Sequence, residues 1–266
     1  MLMRVSEFSY GPLTPLIGFA VSFLGAFLGL RCATRARAYR GWARARWLLL
    51  AGVSLGLGCA WVGHFIDMLG FAVPGESVRY SVPETLASAL LVVAVMWVGL
   101  LIAGYGGRTR WLLLGGLLVG LGIASMHYTG MAAMRMPGMV SYNPAWLLVS
   151  SAIAIAGGIA ALWSALRLRG MWRTVGASLI TAAAVGGMHY AGMAAMRMTG
   201  QPMAMTVAGA TAEGFLLPAV LVISTLTFLI SFVVALAPTE DEIHEDAALL
   251  ARITELERQF GDRSRA

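Results

Sequence analysis

Three stretches of this 266-residue chain repeat one set of side chains able to hold a metal ion. Residues 125–136 read SMHYTGMAAMRM and residues 187–198 read GMHYAGMAAMRM, ten identities in twelve, and residues 63–69, GHFIDML, form a weaker third copy. The histidines His64, His127 and His189 are 63 and 62 residues apart. On a helix, positions i, i+4 and i+7 share one stripe. That stripe would join His127 to Met131 and Met134, His189 to Met193 and Met196, and His64 to Met68 and Phe71. Imidazole and thioether are borderline-soft to soft donors, a set that favours copper, above all Cu(I), over magnesium or calcium.

The elements that carry these residues follow from composition. The chain is 59% hydrophobic and 12% charged, with a mean hydropathy of +0.77, whereas a water-soluble domain carries roughly 25% charge. Disordered chains are poor in apolar residues. An integral membrane protein is what these values leave, and its long apolar stretches make it all-α. Apolar stretches near the ~20 residues needed to cross the hydrocarbon core lie at 13–30, 47–70, 84–105, 111–134, 145–166, 174–196 and 214–236. Seven crossings result, read as three two-helix repeats (47–109, 111–173 and 174–236) with the helix 13–30 leading them. Each motif histidine then lies about 9–10 Å inside the end of its helix, at ~1.5 Å per residue.

The net charge of +6 comes with 19 basic residues, all of them Arg. Their placement reads as membrane topology and not as a nucleic-acid surface. Arg31, Arg35, Arg37, Arg40, Arg44, Arg46, Arg108, Arg110, Arg167, Arg169 and Arg173 fall in or beside the connections on one side of the membrane, against Arg79, Arg135 and Arg197 on the other. The positive-inside bias places the Arg-rich side in the cytoplasm, with the N-terminus outside and the C-terminus inside. Ahead of the first apolar stretch stands a single Arg4 offset by Glu7, and the positive charge follows that stretch, so it reads as a retained helix and not as a cleaved leader. Cys32 and Cys59 show no metal-ligand spacing and imply no disulfide framework.

Plainer readings stand beside the metal. Methionine fills irregular apolar gaps, and membrane histidines hydrogen-bond between helices for about 1 kcal/mol or less. An ionisable ring at one depth in three repeated helices is nevertheless costly in hydrocarbon, and such residues face a bundle interior or cavity and mark function.

The repeated MHY-x-GM cassette on alternate helices resembles the MHYT domain, a bacterial integral membrane sensor module. The resemblance covers residues 47–236 and carries over onto Met126, His127, Tyr128, Gly130 and Met131, and onto Met188, His189, Tyr190, Gly192 and Met193. In the first copy only His64, Phe65 and Met68 correspond, with Gly63 in place of a Met and Asp67 in place of a Gly. The resemblance implies a copper site built from Met and His, with oxygen, carbon monoxide or nitric oxide as the signal. It also implies a location in the cytoplasmic membrane of a bacterium.

Asp67, about 60° around the helix from His64, reads either as a partner that orients the imidazole, as a ligand, or as an interfacial carboxylate. Tyr128 and Tyr190 would donate a hydrogen bond to a bound diatomic or sit in the interfacial aromatic belt. Arg135 and Arg197 would snorkel to the outer surface. Trp47, Trp111 and Trp172 read as belt residues. Gly52, Gly56, Gly116 and Gly120 supply the small-xxx-small spacing of closely packed membrane helices.

Residues 1–236 thus form the membrane domain and 237–266 a charged tail, in which Leu249, Ile253, Leu256 and Phe260 make one apolar stripe of a short helix and His244 is solvated. About 29 residues follow Ala237, fewer than the cyclase or phosphodiesterase domains of many relatives need. A separate cytoplasmic signalling protein, or a homodimer through the tail, is the expected output. No catalytic constellation is present, so an enzyme is not expected. Beside the sensor stand two other readings: an electron-transfer protein with haem ligated by His127 and His189, and a copper carrier with successive weak sites. The charge bias predicts that a reporter fused after Ala266 is active only in the cytoplasm; activity confined to the external side would reverse the topology.

Overall fold

The computed structural model describes residues 6–199, 208–236 and 248–254. Among the described residues, seven helical spans stand side by side. They are α1 (Leu13–Arg35), a kinked span of α2 (Gly41–Val53), a π-helical segment (Ser54–Trp61) and α3 (Val62–Leu69), then α4 (Val82–Gly106), α5 (Thr109–Ala132), α6 (Pro144–Arg167), α7 (Met171–Ala195) and α8 (Leu217–Leu236). The all-α polytopic membrane fold expected from the apolar stretches is the fold observed. Six of the described spans are long and apolar enough to cross a membrane. The remaining one, α7, is as long as the others, but Arg173, Thr174, Ser178, Thr181 and His189 lower its apolarity.

Strand pairing shows that α7 still runs the length of the bundle. Strand β4 (Met196–Thr199), directly after α7, pairs antiparallel with β3 (Met139–Tyr142), directly before α6. In the same layer β1 (Arg79–Tyr80) lies between β2 (Met134–Arg135) and β5 (Ala210–Thr211). These short strands cap one end of the bundle and leave the Arg-rich connections at the other. There Gly107, at φ 66°, takes the left-handed turn that ends α4.

Around the bundle axis the helices alternate in direction. The motif spans α2–α3, α5 and α7 run toward the strand-capped end, and α4 lies against both α2 and α5, α6 against both α5 and α7. The leading helix α1 takes the corresponding place against α7 and the kinked span, and α8 packs on α1 and α3. The ring of six thus closes through a helix that precedes all three repeats in sequence. Glycines set its width. A Cβ at Gly52 or Gly56 would press on the α4 backbone at Trp97 and Val92, and one at Gly116 or Gly120 on α6 at Ile159 and Ile155. This is the close approach that their spacing predicts.

The π-helical turn ahead of His64 lies where α1 comes nearest. A Cβ at Gly25 would meet the backbone of Gly58 and Cys59. Ser22 Oγ donates to the Cys59 carbonyl at 2.9 Å, giving a helix-breaking turn a partner from the neighbouring span. Cys32 and Cys59 are buried and free.

At the Arg-rich end, arginines on both sides of the α1–α2 connection and within it tie down three helices. Arg44 donates to the Gly104 carbonyl at 2.6 Å, Arg37 to the carbonyls of Leu168, at 3.0 Å, and Ala165, and Arg35 to the Val234 carbonyl at 3.0 Å. The acceptors are the last carbonyls of α4, α6 and α8, where unpaired C=O groups and the negative end of the helix dipole favour a cation. Arg44 also lies 4.6 Å from the Tyr105 ring centre and Arg35 5.6 Å from that of Trp47. Of the belt tryptophans, Trp172 and Trp111 are exposed, while Trp47 stacks on Tyr39.

In the tail, residues 248–254 are helical and Leu249 and Ile253 are exposed; His244, Leu256 and Phe260 lie outside the described residues. Because Arg37 serves two carbonyls at once, Arg37→Ala is expected to lower stability by about 2 kcal/mol, a Tm drop of roughly 5 °C in detergent. Arg37→Lys, with a single ammonium in place of the planar fork, should recover only part of it.

Candidate metal centre

Each motif span ends soon after its histidine, because the chain leaves the helix to enter the strand cap. His64 is followed by five helical residues to Leu69, His127 by five to Ala132 and His189 by six to Ala195. The rings therefore share one depth, about 8–9 Å from the helix ends. The three imidazoles meet there. Nδ1 of His64 lies 2.9 Å from Nδ1 of His189 and 3.2 Å from Nδ1 of His127. The ring centres are 4.8, 5.0 and 5.3 Å apart. His64 and His127 are fully buried and His189 is 2% exposed. Among the described residues, this is the group of His, Cys, Asp or Glu side chains close enough to share an ion, with one atom from each ring within 4.8 Å of the others.

A ring nitrogen has one in-plane valence, holding either a proton or a lone pair. His64 Nδ1 faces two partners with it, so hydrogen bonding alone leaves the cluster unsatisfied. A cation at the point of convergence would take one lone pair from each ring, as the ~2.0–2.1 Å bonds of imidazole to a metal allow. The donor set thus fits a metal ion.

The cassette glycines seat the rings. A Cβ at Gly130 would lie 2.8 Å from Nε2 of His64 and 3.2 Å from the Phe65 ring, and one at Gly192 would strike Nε2 of His127. Each of these imidazoles rests on the glycine face of the next repeat, with Nε2 buried and without a hydrogen-bond partner. The sequence reading carried Gly130 and Gly192 over with the motif but gave them no role. Their position three residues after each histidine was the available signal.

Among the sulfur candidates, Met68, Met126, Met131, Met188 and Met193 are all buried, at 2% exposure or less. Met134 and Met196 correct the expected stripe. α5 stops at Ala132 and α7 at Ala195, so these methionines stand in β2 and β4, off the helical face that carries His127 and His189. Phe71 likewise lies beyond the end of α3.

Tyr128 and Tyr190 each pack edge-on against the neighbouring histidine, with ring centres 4.9 Å apart. The Tyr128 hydroxyl is buried without a partner, while that of Tyr190 faces the Asp67 carboxylate. Tyr190 is stacked on by Phe8 and Tyr128 meets Tyr142, so both belong to the wall of the centre.

Asp67 is 7% exposed, with one carboxylate oxygen unpartnered. It does not orient His64, whose Nδ1 faces the other two histidines and whose Nε2 faces Gly130. It turns instead toward α1, where Gly18 leaves room for it. Gly63, the other departure of the first copy, also faces α1, because a Cβ there would strike Ser22. Arg135 pairs with Glu84 at 2.5 Å on the exposed strand-capped end, and Arg197 lies in β4.

Crowding the seats should be felt at once. Gly192→Ala is expected to shift the His127 ring resonances in NMR spectra and to destabilise by about 1–3 kcal/mol, as overpacking does. Gly186→Ala, where a Cβ meets nothing within 4 Å, should leave the rings in place and stabilise the helix by up to about 1 kcal/mol.

Two segments, 56–116 and 120–178, match a family model described as a bacterial signalling protein N-terminal repeat, MHYT. Each match begins within one motif span, takes in the helix that follows and ends in the first turns of the next motif span. The chain is 36% identical over 237 residues to the bifunctional diguanylate cyclase/cyclic di-GMP phosphodiesterase MucR of Pseudomonas aeruginosa, covering 85% of this chain and 34% of that protein. It is 35% identical over 198 residues to the cyclic di-GMP phosphodiesterase NbdA of the same organism, covering 71% and 24%. It is 32% identical over 87 residues to the signaling protein YkoW of Bacillus subtilis, covering 32% and 11%. The chain therefore spans about a third or less of the length of these relatives. No solved structure matches it. With its three histidine cassettes on one bundle and two matched repeats, the chain belongs to the MHYT domain family of bacterial membrane signalling proteins.

Proposed function

We propose that this chain is a sensor module of the bacterial cytoplasmic membrane that holds a copper ion on His64, His127 and His189, with thioethers from Met131, Met193, Met126, Met188 and Met68 as further donors. The observation that carries the reading is the convergence of three buried imidazoles on one point. Their setting among buried methionines favours Cu(I), since thioethers contribute little to hard cations. A bound copper would supply a soft, redox-active centre able to take a diatomic gas. The chain's own residues supply the rest: Gly130 and Gly192 seat the rings, and Tyr128 and Tyr190 wall the centre off from water.

Haem is the weaker reading. Its macrocycle has to pass between two facing axial ligands, and here the third imidazole touches both of the others. A carrier needs successive sites, whereas the described histidines make one.

The Arg-rich end faces the cytoplasm in this reading, and α8 leads the chain out on that side. The relatives' names describe cyclic di-GMP turnover, so the output proposed is control of such chemistry, through a fused domain or a separate partner. The membrane module itself does no catalysis.

Elemental analysis of protein purified in detergent tests the centre. His127→Ala with His189→Ala should abolish copper, while Met131→Leu with Met193→Leu, nearly isosteric, should shift preference toward harder metals. A haem band in the visible spectrum, or unchanged copper in a folded double-histidine variant, would overturn the reading and leave the triad as a packing and hydrogen-bonding cluster.

A further inference from the structure

Directly beneath the triad, on the side away from the strand cap, the bundle leaves a cavity of about 20 Å³. Cys59, Ile123 and Val185 line it; they stand five, four and four residues before the three motif histidines, about one helical turn further in. Met188, next to His189 in the chain, lines it as well. The cavity and the triad therefore share a wall.

Its lining offers water at most one partner, the acceptor left on the Thr181 hydroxyl. The one hydroxyl at its edge, on Thr181, already donates to the Ala177 carbonyl at 2.8 Å, and the remaining side chains are aliphatic or carry weakly polar sulfur. A buried water needs roughly 10–15 Å³ and two to four polar partners. This cavity meets the first condition and fails the second. Apolar cavities of this kind stay dry and take up apolar atoms or small molecules such as xenon.

One side of the cavity is thin. Ile153 and Gly157 of α6 and Ala184 of α7 line it and are only half-buried, unlike Cys59, Ile123, Val185 and Met188. Along the same seam, a Cβ at Gly187 would meet only Ile153, at 3.9 Å, while one at Gly157 would lie 2.8 Å from the Ala184 methyl, so the wall there is one small side chain thick. In a bilayer this seam faces acyl chains, the medium in which uncharged gases dissolve best.

We propose that the cavity beneath the triad is a dry binding chamber for one uncharged molecule of diatomic-gas size, which enters laterally from the bilayer between α6 and α7. The inference deepens the sensor reading and rests on it only for what the molecule reaches next; the chamber itself needs no copper.

Xenon is the probe. Xenon-pressurised crystals of the full chain, grown from a lipid phase, should show an anomalous peak between Ile123, Ala154 and Val185, and xenon NMR in detergent should show a bound signal. Ala184→Leu should fill the thin wall and abolish both, whereas Ile153→Ala should enlarge the chamber and raise occupancy. Absence of xenon from the folded wild-type protein, or an unchanged peak in Ala184→Leu, would overturn the proposal. Copper measured on the same samples separates the two readings. Copper retained without xenon removes the chamber and leaves the sensor, while xenon without copper keeps the chamber and removes the metal.

Discussion

Bringing three imidazole rings to within 5.3 Å of one another inside an apolar bundle requires the helices that carry them to approach on faces that have almost no side chains. Polar groups removed from water are costly unless they find partners, and these rings find chiefly each other. Gly130 and Gly192 make the approach fit, since a Cβ at either position would push an imidazole off the axis. Wider contacts follow from the same closeness. Gly52, Gly56, Gly116 and Gly120 let α4 and α6 press against the motif spans, so the ring stays narrow along its length. At one end the strands tie the connections together, and at the other Arg35, Arg37 and Arg44 hold the last carbonyls of α8, α6 and α4.

The first repeat departs from the other two for a reason visible in its neighbour. α1 runs along α3 and the π-helical turn, close enough that Gly18 and Gly25 are needed on its side and Gly63 on the other. A methionine at position 63, as at 126 and 188, would collide with Ser22. Asp67 turns into the space that Gly18 opens, and Ser22 donates to the carbonyl of Cys59 in the π-helical turn. The threefold pattern is therefore broken where a helix from outside the repeats closes the ring, while the three imidazoles keep a common depth.

Much of this was legible in the chain. Hydrocarbon leaves no partner for unpaired backbone groups, so long apolar stretches become spanning helices whatever surrounds them, and the expected spans match the observed ones to within several residues. The repeat period placed His64, His127 and His189 at one depth because each unit is one helix up and one helix down. The glycine spacing of the kinked span and of α5 announced close packing for the same local reason. Met134 and Met196 were misassigned to the helical stripe because a helix end depends on what the next residues pair with, and that partner strand lies tens of residues away.

What is local or periodic could be read along the chain: the class of protein, the number of the spans and their up-and-down alternation, and the depth of the motif residues. Which rings touch, that α1 closes the ring between α7 and α3, that Asp67 faces α1 and not His64, and that an apolar cavity lies under the triad emerge only when the helices pack together. These are rotations and gaps about the bundle axis. They are set by the balance of close contacts among all the helices at once, and a repeat read along one dimension carries no term for the space between neighbours.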